Sequence, residues 1–120
     1  MTSESIQIAM EPRSRAYLDA AHQRVVIFDG AMGTNLQLAE LSPDDFGGLA
    51  LDGCNEILVD TRPEVVSGIH TGFLEAGVDV IETNTFGAFS VVLDEYGLSD
   101  RAYDLNVAAG RLACEAARSY

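Results

Sequence analysis

Two short clusters carry the residues able to do chemistry. The first is Asp29-Gly30-Ala31-Met32-Gly33, which follows the apolar run Val25-Val26-Ile27-Phe28. The second is Glu82-Thr83-Asn84-Thr85, which follows Val78-Asp79-Val80-Ile81. A carboxylate such as Asp29 can hold an ammonium. A glycine-bearing turn lets backbone amides approach a ligand closely, and such a concavity binds carboxylates or phosphates. The pair suits a zwitterion, such as an amino acid. The alternative stays open at this point: Asp29 caps the next turn and the glycines only relieve strain.

Those clusters need strands to present them. Unbroken β-branched and aromatic runs suit strands buried on both faces, as in parallel sheets. Strands are therefore expected at Val25 to Phe28 and over residues 78 to 86. A short helix is expected from Ser14 to Gln23, and a weak one from Thr34 through Leu41. Residues 42 to 60 read as a long polar connection, too polar for a core element; long loops of this kind are often functional. Thr61-Arg62-Pro63-Glu64 reads as a capping box opening a helix whose apolar face is Val65, Val66, Ile69, Phe73 and Leu74. Gly77 supplies its stop. A last helix is expected from about Asp100 to Arg118, with Tyr103, Val107, Leu112 and Ala116 near one face. Residues 1 to 13 read as a mobile tail, leaving 14–120 as the folded part.

Strand, helix, strand, helix is an α/β order that implies a parallel sheet with right-handed crossovers. In such folds ligands gather at the carboxyl ends of the strands. Neighbouring strands lie about 4.8 Å apart, so Asp29 and Thr83 to Thr85 would share one rim.

The composition sets limits. Nineteen acids oppose seven arginines and no lysine, a net charge of -12. Nucleic acid and anionic membrane surfaces need clustered cations, so neither is an expected partner. Cys54 and Cys114 lie far apart with no C-x-x-C, which predicts free thiols in a reducing compartment and no zinc site from this chain alone. No apolar run approaches the ~20 residues of a membrane span, and a cytoplasmic location is expected.

The residues quoted so far also form a longer pattern. "VVIFDGAMGT" followed by "GCNEILVDTRPEVVSGIHTGFLEAGVDVIETNTFGA" resembles the N-terminal homocysteine-binding barrel of the cobalamin-dependent methionine synthases. The likeness runs from about Arg24 to Ala117. It implies the N-terminal part of a (β/α)8 TIM barrel, about two βα units plus a leading helix, where a whole barrel takes ~250 residues. It implies a methyltransferase in which homocysteine receives a methyl group from a methylated corrinoid, with zinc activating the thiol. By resemblance Asp29 takes the homocysteine ammonium, and the amides around Gly30, Ala31 and Met32 take its carboxylate. Thr83 and Asn84 line the pocket on the second strand. The zinc cysteines are expected downstream of Tyr120, so zinc and cobalamin belong to the full-length enzyme and neither is expected on these residues. Corrinoid-binding and folate-binding modules of the same chain are the expected partners. These residues alone are expected to be inactive, and either poorly stable or self-associating.

Other residues have plainer expectations. His70, one position past Ile69, is expected to be solvated. Cys114 is expected to be a small core thiol. Met32 is core filler or a contact for a thioether. Glu82 is a base, an orienting group, or the partner of an arginine. Asp94-Glu95 is expected to be solvated surface. Two competing functions remain in view. One is a non-catalytic binding or regulatory module built on a truncated barrel. The other is a haloacid-dehalogenase-like phosphatase, whose D-x-D-G-T pattern lacks its second acid here because position 31 is Ala.

Overall fold

The computed structural model describes residues 12 to 120. Seven α-helices run along them: α1 (Pro12–Gln23), α2 (Met32–Leu38), α3 (Pro43–Phe46), α4 (Leu58–Thr61), α5 (Pro63–Ala76), α6 (Ser90–Leu93) and α7 (Ala102–Arg118). Short 3-10 turns fill Leu49–Leu51, Asn55–Ile57, Asp94–Tyr96 and Ser99–Arg101. Most of the expected tail lies outside the described residues, but Pro12 and Arg13 belong to α1, with Pro12 at a first-turn position where its missing amide costs nothing.

The two expected strands meet without becoming a sheet. They touch at one parallel bridge, Phe28 to Val80. Val80 N–H donates to the Ile27 carbonyl at 3.2 Å, and Asp29 N–H to the Val80 carbonyl at 3.0 Å. The next rungs are intercepted by aspartates. Asp29 Oδ1 accepts the Glu82 N–H at 2.9 Å, where a parallel ladder would use the Asp29 carbonyl. At the other end Asp79 Oδ2 accepts the Ile27 N–H at 2.9 Å. Among the described residues the pair is only thinly covered, by the Tyr17 ring set edge-on to Phe28: Val25 is 81% exposed, Ile27 56% and Phe28 45%. Two short segments without further strands or a covered face are marginal as a sheet. The α/β sheet expected from sequence is thus reduced to a parallel contact, and the described residues form a mostly helical array.

α5 is the central support. Pro63 opens it, and Gly77 closes it in the left-handed region (φ 99). Gly77 N–H donates to Leu74 and Val78 N–H to Phe73, the paired C-terminal bonds that need a left-handed residue between them. The expected capping box at Thr61 does not form. Thr61 ends α4 and its hydroxyl donates back to the Ile57 carbonyl at 3.3 Å, leaving Arg62 at the cap position. A box forms instead at Ser42, whose amide donates to the Asp45 carboxylate at 2.8 Å. Asp45 also accepts Arg62 Nε at 2.7 Å, tying α3 to the head of α5. The Ser42 amide, then Arg62, hold the Asp45 carboxyl below its ordinary value.

The core lies where a polar loop was expected. Phe46, Cys54, Ile57, Leu58 and Val59 are buried, together with Leu36, Val66, Leu93, Leu105 and Ala109. α4, α5 and α7 pack around them. On α7 the buried stripe is Leu105, Ala109, Ala113 and Ala116, at helical spacing. Tyr103 instead points to solvent, and so does Cys114, correcting both expectations. Asp94 and Glu95 are exposed as expected. His70 is the largest reversal. It lies one turn beyond Val66 on the buried side of α5 and is fully buried.

Candidate functional site

The parallel contact brings the two polar clusters to one hollow of about 300 Å3. Residues 29 to 33 form one wall and residues 82 to 86 the other. Asp29 sits at their junction. One carboxylate oxygen is engaged by the Glu82 amide, so the side chain is oriented by the opposite wall. The second oxygen has no hydrogen-bond partner among the described residues, which leaves it for a cation.

The turn after Asp29 is strained at an unexpected place. Ala31, not a glycine, occupies the left-handed region (φ 52, ψ 34). A non-glycine residue there costs roughly 1–2 kcal/mol. Ala31 caps α2: its carbonyl accepts the Asn35 amide at 3.0 Å and Asn35 Nδ2 at 2.9 Å. Gly30 has an ordinary φ, and a Cβ built on it meets nothing within 4 Å. Its value is open space in the hollow, not conformational freedom. The amides of Gly30 to Thr34 donate to no protein acceptor among the described residues. Met32 is half-buried and packs against the core, so core filler describes it as well as a site role does.

The second wall is more rigid. Thr83 and Thr85 share a hydroxyl–hydroxyl hydrogen bond of 2.7 Å. Asn84 is buried, and its Nδ2 donates to the Asn55 carbonyl at 2.9 Å. Its side chain is therefore partly spent on structure. Glu82 is exposed at the rim, with no arginine in ion-pair range among the described residues, so the plain expectation of an arginine partner fails.

Two lining residues escaped sequence reasoning. Asn55 and Glu56 reach the hollow from the 3-10 turn ahead of α4. The length of the connection was the available signal. Glu56 Oε1 accepts the Gly87 N–H at 3.0 Å. Beside it, Cys54 Sγ lies 3.9 Å from Glu56 Oε2. Burial pushes the Cys54 thiol up from its ordinary value, which keeps it from acting as a thiolate. No group of three His, Cys, Asp or Glu side chains among the described residues could hold a metal ion.

A larger groove, about 750 Å3, runs beneath α1 beside Leu74, Val78, Ile81 and Tyr120. Its charged groups neutralise each other: Arg24 grips both Asp79 oxygens at 2.8 and 2.9 Å. That bidentate pair, with the Ile27 amide, holds the Asp79 carboxyl down at about 2. Among the described residues the groove is an apolar face open to solvent rather than a site with chemistry. No helix among the described residues is long and apolar enough to cross a membrane.

Comparison with known proteins gives a consistent family. The homocysteine S-methyltransferase family model matches residues 26–120. A methionine synthase of Mycobacterium tuberculosis is 54% identical over 89 residues, covering 74% of this chain and 7% of that protein. A methionine synthase of Mycobacterium leprae is 51% identical over 102 residues, covering 82% of this chain and 8% of that protein. The chain thus spans less than a tenth of the length of these relatives.

Proposed function

Given that the chain belongs to the homocysteine S-methyltransferase family, we propose that its hollow binds homocysteine, as the substrate-holding segment of an enzyme that makes methionine. One observation carries this reading. The free oxygen of Asp29 and the unpartnered amides of the following turn face one small hollow, anion beside donors. A free amino acid presents the matching pair, an ammonium beside a carboxylate. In this reading Asp29 holds the ammonium, and the amides of Gly30, Ala31 and Met32 receive the carboxylate. Thr83 and Asn84 shape the opposite wall. The segment, residues 14–120, would supply the first two βα units of a (β/α)8 barrel in the cytoplasm, its parallel contact extended by further strands.

The methionine-synthase likeness implies zinc and cobalamin for a whole enzyme, and the residues described do not form a zinc site. Cys54 is buried with its thiol pushed up by burial, Cys114 is exposed, and no metal-holding cluster forms among the described residues. No step of methyl transfer is therefore assigned to these side chains. Their part is to bind and orient the amino-acid end of the substrate, while corrinoid- and folate-binding modules act elsewhere in the protein.

Isothermal titration of homocysteine into the full-length chain tests the reading. Asp29→Ala removes a charge-assisted contact worth about 1.5–3 kcal/mol, so affinity should fall roughly tenfold to a hundredfold. Unchanged affinity would overturn the assignment of Asp29.

A further inference from the structure

We propose that Glu56 is a positioning residue, which sets the wall of the hollow formed by Thr83 to Thr85 by clamping the backbone of Gly87; the proposal rests on the homocysteine reading. The wall is a loop, tied at its near end where the Glu82 N–H donates to Asp29 Oδ1 at 2.9 Å. Within it, Thr85 N–H donates to Thr83 and Ala88 N–H to Thr85. Its far end is tied to α7, where Asn106 Nδ2 donates to the Ala88 carbonyl at 2.6 Å. The stretch between is held from one place, the turn that carries Asn55 and Glu56. The Asn55 carbonyl accepts Asn84 Nδ2 at 2.9 Å, and Glu56 Oε1 accepts Gly87 N–H at 3.0 Å.

That turn is a firm anchor. It leads directly into Ile57, Leu58 and Val59, all buried in the core. The contact at Gly87 is also close-fitting. A Cβ on Gly87 would lie 2.8 Å from Glu56 Oε1 and 3.1 Å from Val92 Cγ1. Gly87 has no positive φ, so its lack of a side chain serves this approach and not the backbone conformation. The clamp therefore joins a rigid core segment to a substrate wall across 31 positions of sequence. A wall that shifts loses contacts made equally in the ground state and the transition state, so such a clamp is felt in substrate affinity.

What Glu56 supplies to Gly87 is an oxygen acceptor, and a glutamine side chain supplies one too. This separates positioning from a direct charge contact with the substrate ammonium. In the full-length enzyme, Glu56→Ala should raise KM for homocysteine about tenfold with kcat changed less than about twofold, the pattern of lost ground-state binding. Glu56→Gln should restore KM to within about threefold of the unsubstituted enzyme. Hydrogen exchange at the Gly87 amide should quicken in Glu56→Ala and not in Glu56→Gln. Gly87→Ala, which must displace Glu56, should raise KM like Glu56→Ala, and serves if Glu56→Ala does not fold. An equal rise in KM for the alanine and glutamine variants would overturn the proposal in favour of a charge contact. Faster Gly87 exchange with KM unmoved would overturn it as well. Absence of homocysteine turnover by the unsubstituted enzyme would instead overturn the function it rests on, while the exchange result would still report the clamp.

Discussion

His70 shows what burial does to a single titratable group. Neither ring nitrogen has a hydrogen-bond partner among the described residues, yet the side chain is fully buried. A neutral imidazole always carries one N–H, so at least one buried donor goes unpaired, at a cost of about 1–3 kcal/mol. Burial pushes its pKa below the ordinary 6.5, and the nearby Asp29 charge pulls only partly the other way. The sign follows. The unfolded chain takes up the proton more readily, so the folded state is favoured above 6.5 and loses that stability as pH falls through the depressed folded value. Denaturant melts between pH 8 and pH 5 should show the loss setting in below about 6.5. His70→Leu should be neutral or stabilising at pH 8 and should lack the acid step; the same step in both proteins would show that another group causes it. The Asp79 carboxyl, lowered to about 2 by Arg24, follows the usual carboxylate rule in a separate window. Its stabilisation is present above the unfolded value near 3.8 and lost only as pH falls toward 2.

At the scale of elements, the best-defined boundary is the end of α5. Gly77→Ala forces a Cβ into a left-handed residue and should destabilise by about 1–2 kcal/mol, read as a lower denaturation midpoint with an unchanged slope. An unshifted midpoint would mean that this helix end does not limit stability. Gly77 was legible because glycine after an apolar periodic run has one common use. α5 and α7 were legible from apolar periodicity with a start or stop signal, and α1 from its run of helix-favouring residues alone. The capping box was not. Thr61-Arg62-Pro63-Glu64 has the residue pattern, but α4 already occupies Thr61, and Ser42 to Asp45 took that role. The core was missed because Ile57 to Val59 is a short run set among turn formers, and its burial comes from α5 and α7 packing on it, which no local pattern records. His70 was placed one position off the buried side because Ile69 looked like the centre of the apolar face. The shared hollow was legible, since two apolar runs ending in polar clusters share a strand-end logic. Glu56 was not, because its role depends on a contact with Gly87, far along the sequence.

The whole molecule carries the consequence of the unfinished parallel contact. The radius of gyration is 17.0 Å, against about 13 Å expected for a closed domain of the length described. The principal extents are 55 × 39 × 20 Å. Val25, Ile27 and Phe28 are exposed beside the backbone groups of Val26 and Phe28, which have no partner among the described residues, the arrangement that templates pairing with another chain. A net charge of -12 opposes such pairing. These two terms respond oppositely to salt. The Debye length falls from about 10 Å at 0.1 M to about 3 Å at 1 M, which weakens repulsion between like-charged copies but leaves apolar burial in place. The 120-residue chain studied alone should therefore self-associate, and light scattering should show the associated fraction rising with salt. Ile27→Lys should return it to monomer even though the substitution lowers the net negative charge, because it places a charge in the apolar contact. Association that weakens with salt would mean that ion pairs hold the copies together. A compact monomer at every salt concentration would mean that the exposed segments are satisfied within the chain.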